Sequence, residues 1–551
     1  MEKIRMKAVS SLEKCFFDEK MENRAELSEL TAFRNEKIAF QVLYVCETHE
    51  KRIREGKVKL TGDLAKYATV RNVVHIPSMQ PMNQNKQEGV YLRREPGMYP
   101  DLLRPLHYDN STMMPYNRHR SLWVEIRLPE DIIPGEYSIG VSITSDWEPA
   151  HYGEASVKVK VLEASLPKQK LIHTEWFYTD CIANHYRVRA FSEKHWKLIE
   201  NFMQTAVDNG INMILTPIFT PELDTYIGGE RLTTQLVDIT LEEKGKYSFD
   251  FSKLHRWIDM AQRCGVEYYE IPHFFTQWGA KNAPKIIVSV NGKKKKYFGW
   301  HTDAMGEEYD TFLGQFIPAL LAEFRARGLD KKCFFHVSDE PSLSDLDHYK
   351  KCKELIGKHL EGYPIIDALS EYAFYESGAL EKPVPATKSI QTFIDHKVPG
   401  LWAYYCQSGF NVSDRFFSMP LWRTRMLGVQ LWLYNIEGFL HWGYNFYNNR
   451  KSRDILDPFQ DSTGEYFVAS GDTYLVYPGN DGTAWESIRL NALREAMDDM
   501  RALSLYEEKF GREAAEKLVL EGTDGSLTFM HFPEDPNYLP NLRAKIYKAF
   551  K

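Results

Sequence analysis

Between residues 166 and 455, short apolar runs alternate with helix-length amphipathic patterns, and this alternation limits the possible folds more than any other feature. Leu171–Tyr178, Ile211–Pro217, Val266–Phe275, Cys333–Val337, Tyr363–Leu369, Ser389–Ile394, Gly400–Cys406 and Gly438–Tyr444 read as eight strands. Helical patterns lie between most of them: Ser192–Asn209 with Ser192 as N-cap and Gly210 as stop, Ser252–Gly265, Asp310–Gly328, Asp345–Leu360 and Met419–Asn435. Continuous apolar runs are what parallel strands buried on both faces need. The repeat predicts a (β/α)8 TIM-like barrel. Two excursions interrupt it, Phe219–Phe251, which resembles an inserted hairpin, and Thr276–Met305. The second carries Asn291-Gly292, a hairpin-turn signal, and then Lys293–Lys296, which reads as a solvated hairpin tip.

Residues 1–165 have a different rhythm. Ile38–Cys46, Val58–Leu60, Leu122–Leu128, Glu136–Thr144 and Ala155–Leu162 are short strand-like runs punctuated by Gly and Pro. They predict an N-terminal β-sandwich that packs on the barrel and shapes one wall of its cleft. Ser165-Leu166-Pro167 reads as the linker. Residues 456–551, with a strand-like run at Thr473–Tyr477 and a helix over Thr483–Leu503, predict a mainly helical extension packed on the barrel.

Composition excludes several classes. Charged residues make up 26% and hydrophobic residues 43%, as in a globular protein, and the net charge of -7 is spread along the chain. That balance argues against a nucleic-acid surface. Seven cysteines without a CxxC pair indicate buried thiols, not a disulfide frame or a zinc site. There is no phosphate cradle, dinucleotide fingerprint or GxSxG elbow, so no cofactor and no metal are expected. The N-terminal segment lacks a signal-like apolar block and no run reaches spanning length, which predicts a cytoplasmic location without membrane insertion. Nothing in the sequence indicates an oligomeric state.

A barrel carries its active face at the C-terminal ends of its strands. The fourth strand end, Phe334-Phe335-His336-Val337-Ser338-Asp339-Glu340-Pro341, supplies two adjacent carboxylates. Neighbours on a regular strand point to opposite faces, so Asp339 and Glu340 share a pocket only if the backbone leaves strand geometry. A blander reading is available: acids ahead of a helix favour its positive end, and Ser342-x-x-Asp345 resembles a capping box. The other strand ends offer Trp176, Tyr178, Asp180, Thr216, His273, Gln277, Trp278, Asp367, Tyr404, Tyr405, Gln407, Trp442, Tyr444 and Asn445. A carboxylate pair in an aromatic, amide-rich bowl suits carbohydrate. Conventional retaining glycosidases place two carboxylates on opposite sides of the scissile bond, yet the seventh strand end, Trp402–Gln407, has no acid. Two acids on one strand end suit the substrate-assisted variant, in which the sugar's 2-acetamido oxygen attacks its own anomeric carbon. Such an internal nucleophile enjoys an effective molarity of up to about 10^5–10^8 M.

The run His336-Val337-Ser338-Asp339-Glu340-Pro341 resembles the signature of glycoside hydrolase family 123, the β-N-acetylgalactosaminidases. Tyr247–Leu254, Phe274-Phe275-Thr276-Gln277-Trp278-Gly279, Phe298-Gly299-Trp300 and Ser487–Arg494 agree with it. The resemblance implies a sandwich, a barrel, retention of configuration and substrate assistance, with Glu340 as general acid/base and Asp339 as the group that polarises the acetamide. It also implies a glycan substrate with a terminal β-linked N-acetylgalactosamine, on oligosaccharides or glycosphingolipids. Beyond the pair, Trp442 or Trp176 is expected as sugar platform and Tyr404 or Tyr405 as donor to the acetamido oxygen. His273, Gln277 and Trp278 are expected on sugar hydroxyls, with Tyr178, His336, Gln407 and Tyr444 as further binding candidates. The alternatives are a two-carboxylate glycosidase using Asp180, Asp367 or Glu437 as nucleophile, and a non-catalytic carbohydrate-binding protein.

Overall fold

The structure, a computed structural model, describes residues 2–47, 54–83, 90–145, 150–407 and 411–551. The N-terminal part forms two facing sheets, mostly antiparallel, of six and five strands. In the first, His151–Ser165 turns Val157, Val159 and Val161 inward and Lys158 and Lys160 outward, the period-2 pattern of a strand with one wet face. In the second, Lys37–Val45 is buried along its whole length. Phe40, Val42 and Tyr44 face the core shared with the other sheet, whereas Ala39 packs with Leu421, Ile488 and Ala492. A strand buried on both faces therefore fastens the sandwich to the rest. Each such side chain contributes about 1.5–3 kcal/mol of transfer energy. Asp101, buried, accepts from the Arg489 guanidinium at 2.7 and 2.9 Å across the same junction.

The catalytic half is a TIM-like parallel arrangement. Its strands in chain order are Ile172–Glu175, Met213–Leu215, Tyr268–Ile271, Cys333–Phe335, Ile366–Ala368, Lys382–Val384, Trp402–Tyr404 and Gly438–His441. Six form one continuous parallel sheet in the order fourth, third, second, first, eighth, seventh. The fifth and sixth pair with each other and meet the two sheet edges through single bridges, Phe335 with Ile365 and Ala386 with Tyr404.

Two expectations need correction. The sixth strand is Lys382–Val384, not Ser389–Ile394, which instead contains the helix Gln391–Asp395. Pro383 and Pro385 lack ladder donors and disguise the true strand; buried Ile390 and Phe393, three apart, are a helix face. The single long helix expected over Met419–Asn435 is two, Leu421–Arg425 and Leu427–Leu433.

The two excursions join into one four-stranded sheet, because Asp238–Glu243 pairs with Ile286–Val290. Asn291 (φ 52°) and Gly292 (φ 74°) turn the second hairpin, leaving Lys293–Lys296 exposed. At the C-terminus, Ser487 caps Ile488–Phe510 by accepting from the Leu490 N–H, and Arg512–Leu520 and Tyr538–Ala549 follow. No described helix is long and apolar enough to cross a membrane.

Candidate active site

The fourth strand stops at Phe335, and Glu340 takes φ 42°. A left-handed non-glycine residue costs about 1–3 kcal/mol and persists only where neighbours impose it. Three contacts do so. The Glu340 N–H donates to the Ala368 carbonyl at 3.0 Å, the Trp278 N–H donates to the Asp339 carbonyl at 2.9 Å, and the Tyr404 hydroxyl donates to Glu340 Oε1 at 2.6 Å. The kink cancels strand alternation, and both acids line one cavity of about 210 Å³. Capping of the following turn is done by other residues: Ser342 and Asp345 form the capping box between themselves. Asp339 and Glu340 are thus not spent on the helix.

Trp176, Tyr178, Gln277, Trp278, Tyr404, Gln407 and Trp442 line the same cavity. Four of the expected binding residues do not. Tyr405, the first residue past the seventh strand, packs away from the cavity, against Phe439 and His441. Tyr444 is fully buried, stacked on Phe177 and donating to the Phe202 carbonyl at 2.8 Å. His336 is buried beneath the cavity floor, and His273 packs edge-on against Trp176 at 5.6 Å.

The acids considered as a conventional nucleophile also lie off the cavity. Asp180 accepts both arms of a fork from Arg231 at 2.8 Å. Asp367 is fully buried. Glu437 precedes the eighth strand, at its opposite end, and pairs with Lys382. Four lining residues carry no local sequence mark: Asp224 in the first excursion, and Arg450, Phe467 and Asp472 beyond the eighth strand. This last segment supplies a wall that was expected from the sandwich, and among the described residues no lining residue belongs to residues 1–165.

Two buried networks hold the cavity tryptophans. In one, His336 is bonded to Asp367 at 3.0 Å and to Glu270 at 2.8 Å, and Glu270 accepts from the Trp176 indole N–H at 2.7 Å and from the Thr174 hydroxyl. Asp367 also accepts from the backbone N–H groups of Val337 and Ser338 and from the Tyr349 hydroxyl, so it fixes the segment leading to Asp339. Burial alone would lower His336, but the bonds to Asp367 and Glu270 outweigh it and raise its pKa to about 9. His336 is therefore an imidazolium between two carboxylates.

In the other network, Arg415 donates to Glu175 at 2.8 Å and to His441 at 2.5 Å. His441 is bonded to Asp472, which accepts from the Trp442 indole N–H at 3.2 Å and the Gln407 N–H at 3.1 Å. Burial pushes Asp472 up to about 6 against the pull of Arg415. Only a glycine fits at Gly443, where a Cβ would sit 2.4 Å from the Asp472 carbonyl.

His273, His336 and Asp367 bring possible ligand atoms within 4.8 Å of one another. Both His336 nitrogens are already committed to carboxylates, so the cluster works as an ion network. His273 stays neutral: burial, then the charge on His336 4.3 Å away, holds it well below its usual range.

The two cavity acids differ from all of these. No protein group donates to the Asp339 carboxylate among the described residues. Burial first, then the charges of Glu340 and Asp367, raise it well above the ordinary aspartate range. Chemically, the arrangement offers two adjacent carboxyl groups turned to one cavity, with oxygens left for a ligand, between anchored aromatic walls.

The profile for the glycoside hydrolase 123 catalytic domain matches residues 176–506, which takes in the acid pair and most of both networks. The chain belongs to glycoside hydrolase family 123. Among solved structures, this family 123 enzyme is similar to a family 123 glycoside hydrolase from Clostridium perfringens, studied for glycolipid glycan hydrolysis. The match covers 99% of this chain and 97% of that one at 15% identity, with a TM-score of 0.74. At that identity the likeness speaks for the fold. A β-glucuronidase from Ruminococcus gnavus (9% identity, 83% of this chain and 65% of that one, TM-score 0.32) and a family 5 mannosidase from Rhizomucor miehei (9%, 62% and 95%, 0.32) align too loosely to carry an argument. A search of curated sequences finds no match.

Proposed function

We propose that this family 123 enzyme is a retaining, exo-acting β-N-acetylgalactosaminidase that uses the substrate's 2-acetamido group as nucleophile. The observation that carries the reading is the Glu340 kink, which turns two adjacent carboxylates into one cavity. Glu340 protonates the departing glycosidic oxygen and then activates water. Asp339 accepts the acetamido N–H and stabilises the charge of the cyclic intermediate. Its unspent oxygens suit that task, since a carboxylate already saturated with donors could not take another. Tyr404 orients Glu340 through its hydroxyl. Trp176 and Trp442, at the ends of the paired first and eighth strands, supply apolar faces for the sugar's C–H groups. The cavity, at about 210 Å³, falls below the ~300–1,000 Å³ of drug-sized sites and suits one terminal residue. The glycolipid glycans of the Clostridium perfringens enzyme are one source of such a terminus.

The test is a panel of aryl β-glycosides differing at C2 and C4, with a thiazoline analogue as inhibitor. The expected outcome is hydrolysis of the 2-acetamido-galactoside, no turnover of the plain galactoside, and inhibition by the thiazoline. Turnover of the plain galactoside, with trapping by a fluorosugar, would replace this mechanism by the two-carboxylate one. Preference for the gluco epimer would overturn the galacto assignment alone.

A further inference from the structure

Three cations lie on one short loop beside the cavity, and the first of them lines it. Arg450 lines the cavity, with its guanidinium 5.9 Å from the ring of Phe467, another lining residue. Lys451 Nζ lies 5.7 Å from the ring of Trp278, which is 41% exposed. Arg453 lies 5.6 Å from the exposed ring of Tyr226. Among the described residues none of the three has a carboxylate within ion-pair distance.

The nearby acids are occupied elsewhere. Asp454 and Glu465 accept from the Asn449 amide at 3.0 and 2.7 Å, and Asp224 accepts from the Lys451 backbone N–H at 2.7 Å. The loop is also held in an uncommon conformation, with Lys451 at φ 61° and Ser452 at φ 51°. The Ser452 hydroxyl donates to the Asp224 carbonyl at 2.8 Å, and Asn449 Oδ1 accepts from the N–H groups of Arg453 and Asp454. A backbone in this conformation persists only where its surroundings impose it, so the loop is held in place. The chain as a whole is acidic, with net charge -7, so this cationic loop runs against the general balance.

We infer that the loop binds an anionic substituent, a sulfate ester or a carboxylate, carried by the glycan that enters the cavity. The inference rests on the exo-glycosidase reading above and names its substrate class more closely. Guanidinium forks match the planar pairs of oxygens on such groups, and an ammonium adds a point charge. A sugar lying on the exposed face of Trp278 would carry its edge substituents to Lys451 and Arg450.

The experiment compares kcat/KM for N-acetylgalactosamine β-linked to a neutral hexose, the same sugar β-linked to a uronic acid, and the neutral disaccharide bearing one sulfate ester. The result expected is that at least one anionic substrate exceeds the neutral one by about 10-fold, the scale of one charge-assisted hydrogen bond. Added salt should shrink the preference. Which anionic arm wins identifies the carboxylate or the sulfate as the source. In the triple variant Arg450→Gln, Lys451→Gln, Arg453→Gln, the anionic-to-neutral ratio should fall towards one. The ratio is read on a single preparation, so a partly folded variant does not disturb it. Equal turnover of all three substrates by the parent enzyme, or a triple variant that keeps the preference, would overturn the inference and leave the exo-glycosidase reading standing. Failure to hydrolyse any of the three substrates would overturn both.

Discussion

The carboxylates below the cavity and those inside it are the same residue types in opposite circumstances. Glu270 and Asp367 have their oxygens filled by imidazole, indole, hydroxyl and backbone donors. Glu340 has one donor and Asp339 none among the described residues. A buried carboxylate with a full set of partners is held as structure, because breaking the set strands a charge. A carboxylate with unspent oxygens holds them for a ligand. The same division separates the aromatics. Trp176 and Trp442 each have the indole N–H tied to a networked acid and a ring left for the cavity, whereas Tyr444 spends its hydroxyl on the core.

The comparison is broken most directly by removing one member of each set. Glu340→Gln should cut turnover of substrates with poor leaving groups by about 10^2–10^4-fold, the scale of general acid catalysis, while the melting temperature stays close to that of the parent. A fall of only a few-fold would remove Glu340 from its role. His336→Ala should do the reverse in kind. It leaves Glu270 and Asp367 buried without their shared cation, and the loss of stability should be about 3–5 kcal/mol by denaturant titration.

The parent protein should show a linked pH dependence. The folded pKa of His336, about 9, lies above the ordinary ~6.5. Its contribution is therefore fully present below about pH 6.5 and is lost as pH rises through about 9, amounting to about 3 kcal/mol. Flat stability across that window would mean His336 is neutral in the fold and the network is wrongly charged.

What the sequence made legible follows from how local each signal is. Ser192 and Gly210, or Asn291-Gly292, act within a few residues, and the structure uses them at the expected places. The acid pair was legible because the departure from strand geometry it requires is itself local, ending in Pro341. The sixth strand was hidden because Pro383 and Pro385 erase the ladder pattern, and its pairing is made by distant Ile366–Ala368 and Tyr404. Asp224, Arg450 and Asp472 reach the cavity on excursions whose course is set by tertiary contacts, such as the seat of Lys451 on Asp224. No spacing rule connects residues so far apart. Tyr404 and Tyr405 could be ranked only once the end of the seventh strand was fixed.

The smallest expected effect tests the comparison most finely. Burial, Glu340 and Asp367 raise the folded pKa of Asp339 above its ordinary ~3.9. A group shifted in this direction costs stability once pH exceeds the unfolded value, and the cost grows until the folded pKa is passed. Asp339→Asn should therefore be more stable than the parent at neutral pH, with the gain vanishing below about pH 4. The same variant should be crippled on 2-acetamido substrates. In Glu340→Gln, assayed on an activated aryl substrate, the acid limb of kcat/KM should move to lower pH, because the neighbouring charge that raised Asp339 is gone. An Asp339→Asn protein less stable than the parent at neutral pH would show that this carboxylate has structural partners after all. The line between spent and unspent acids would then have been drawn in the wrong place.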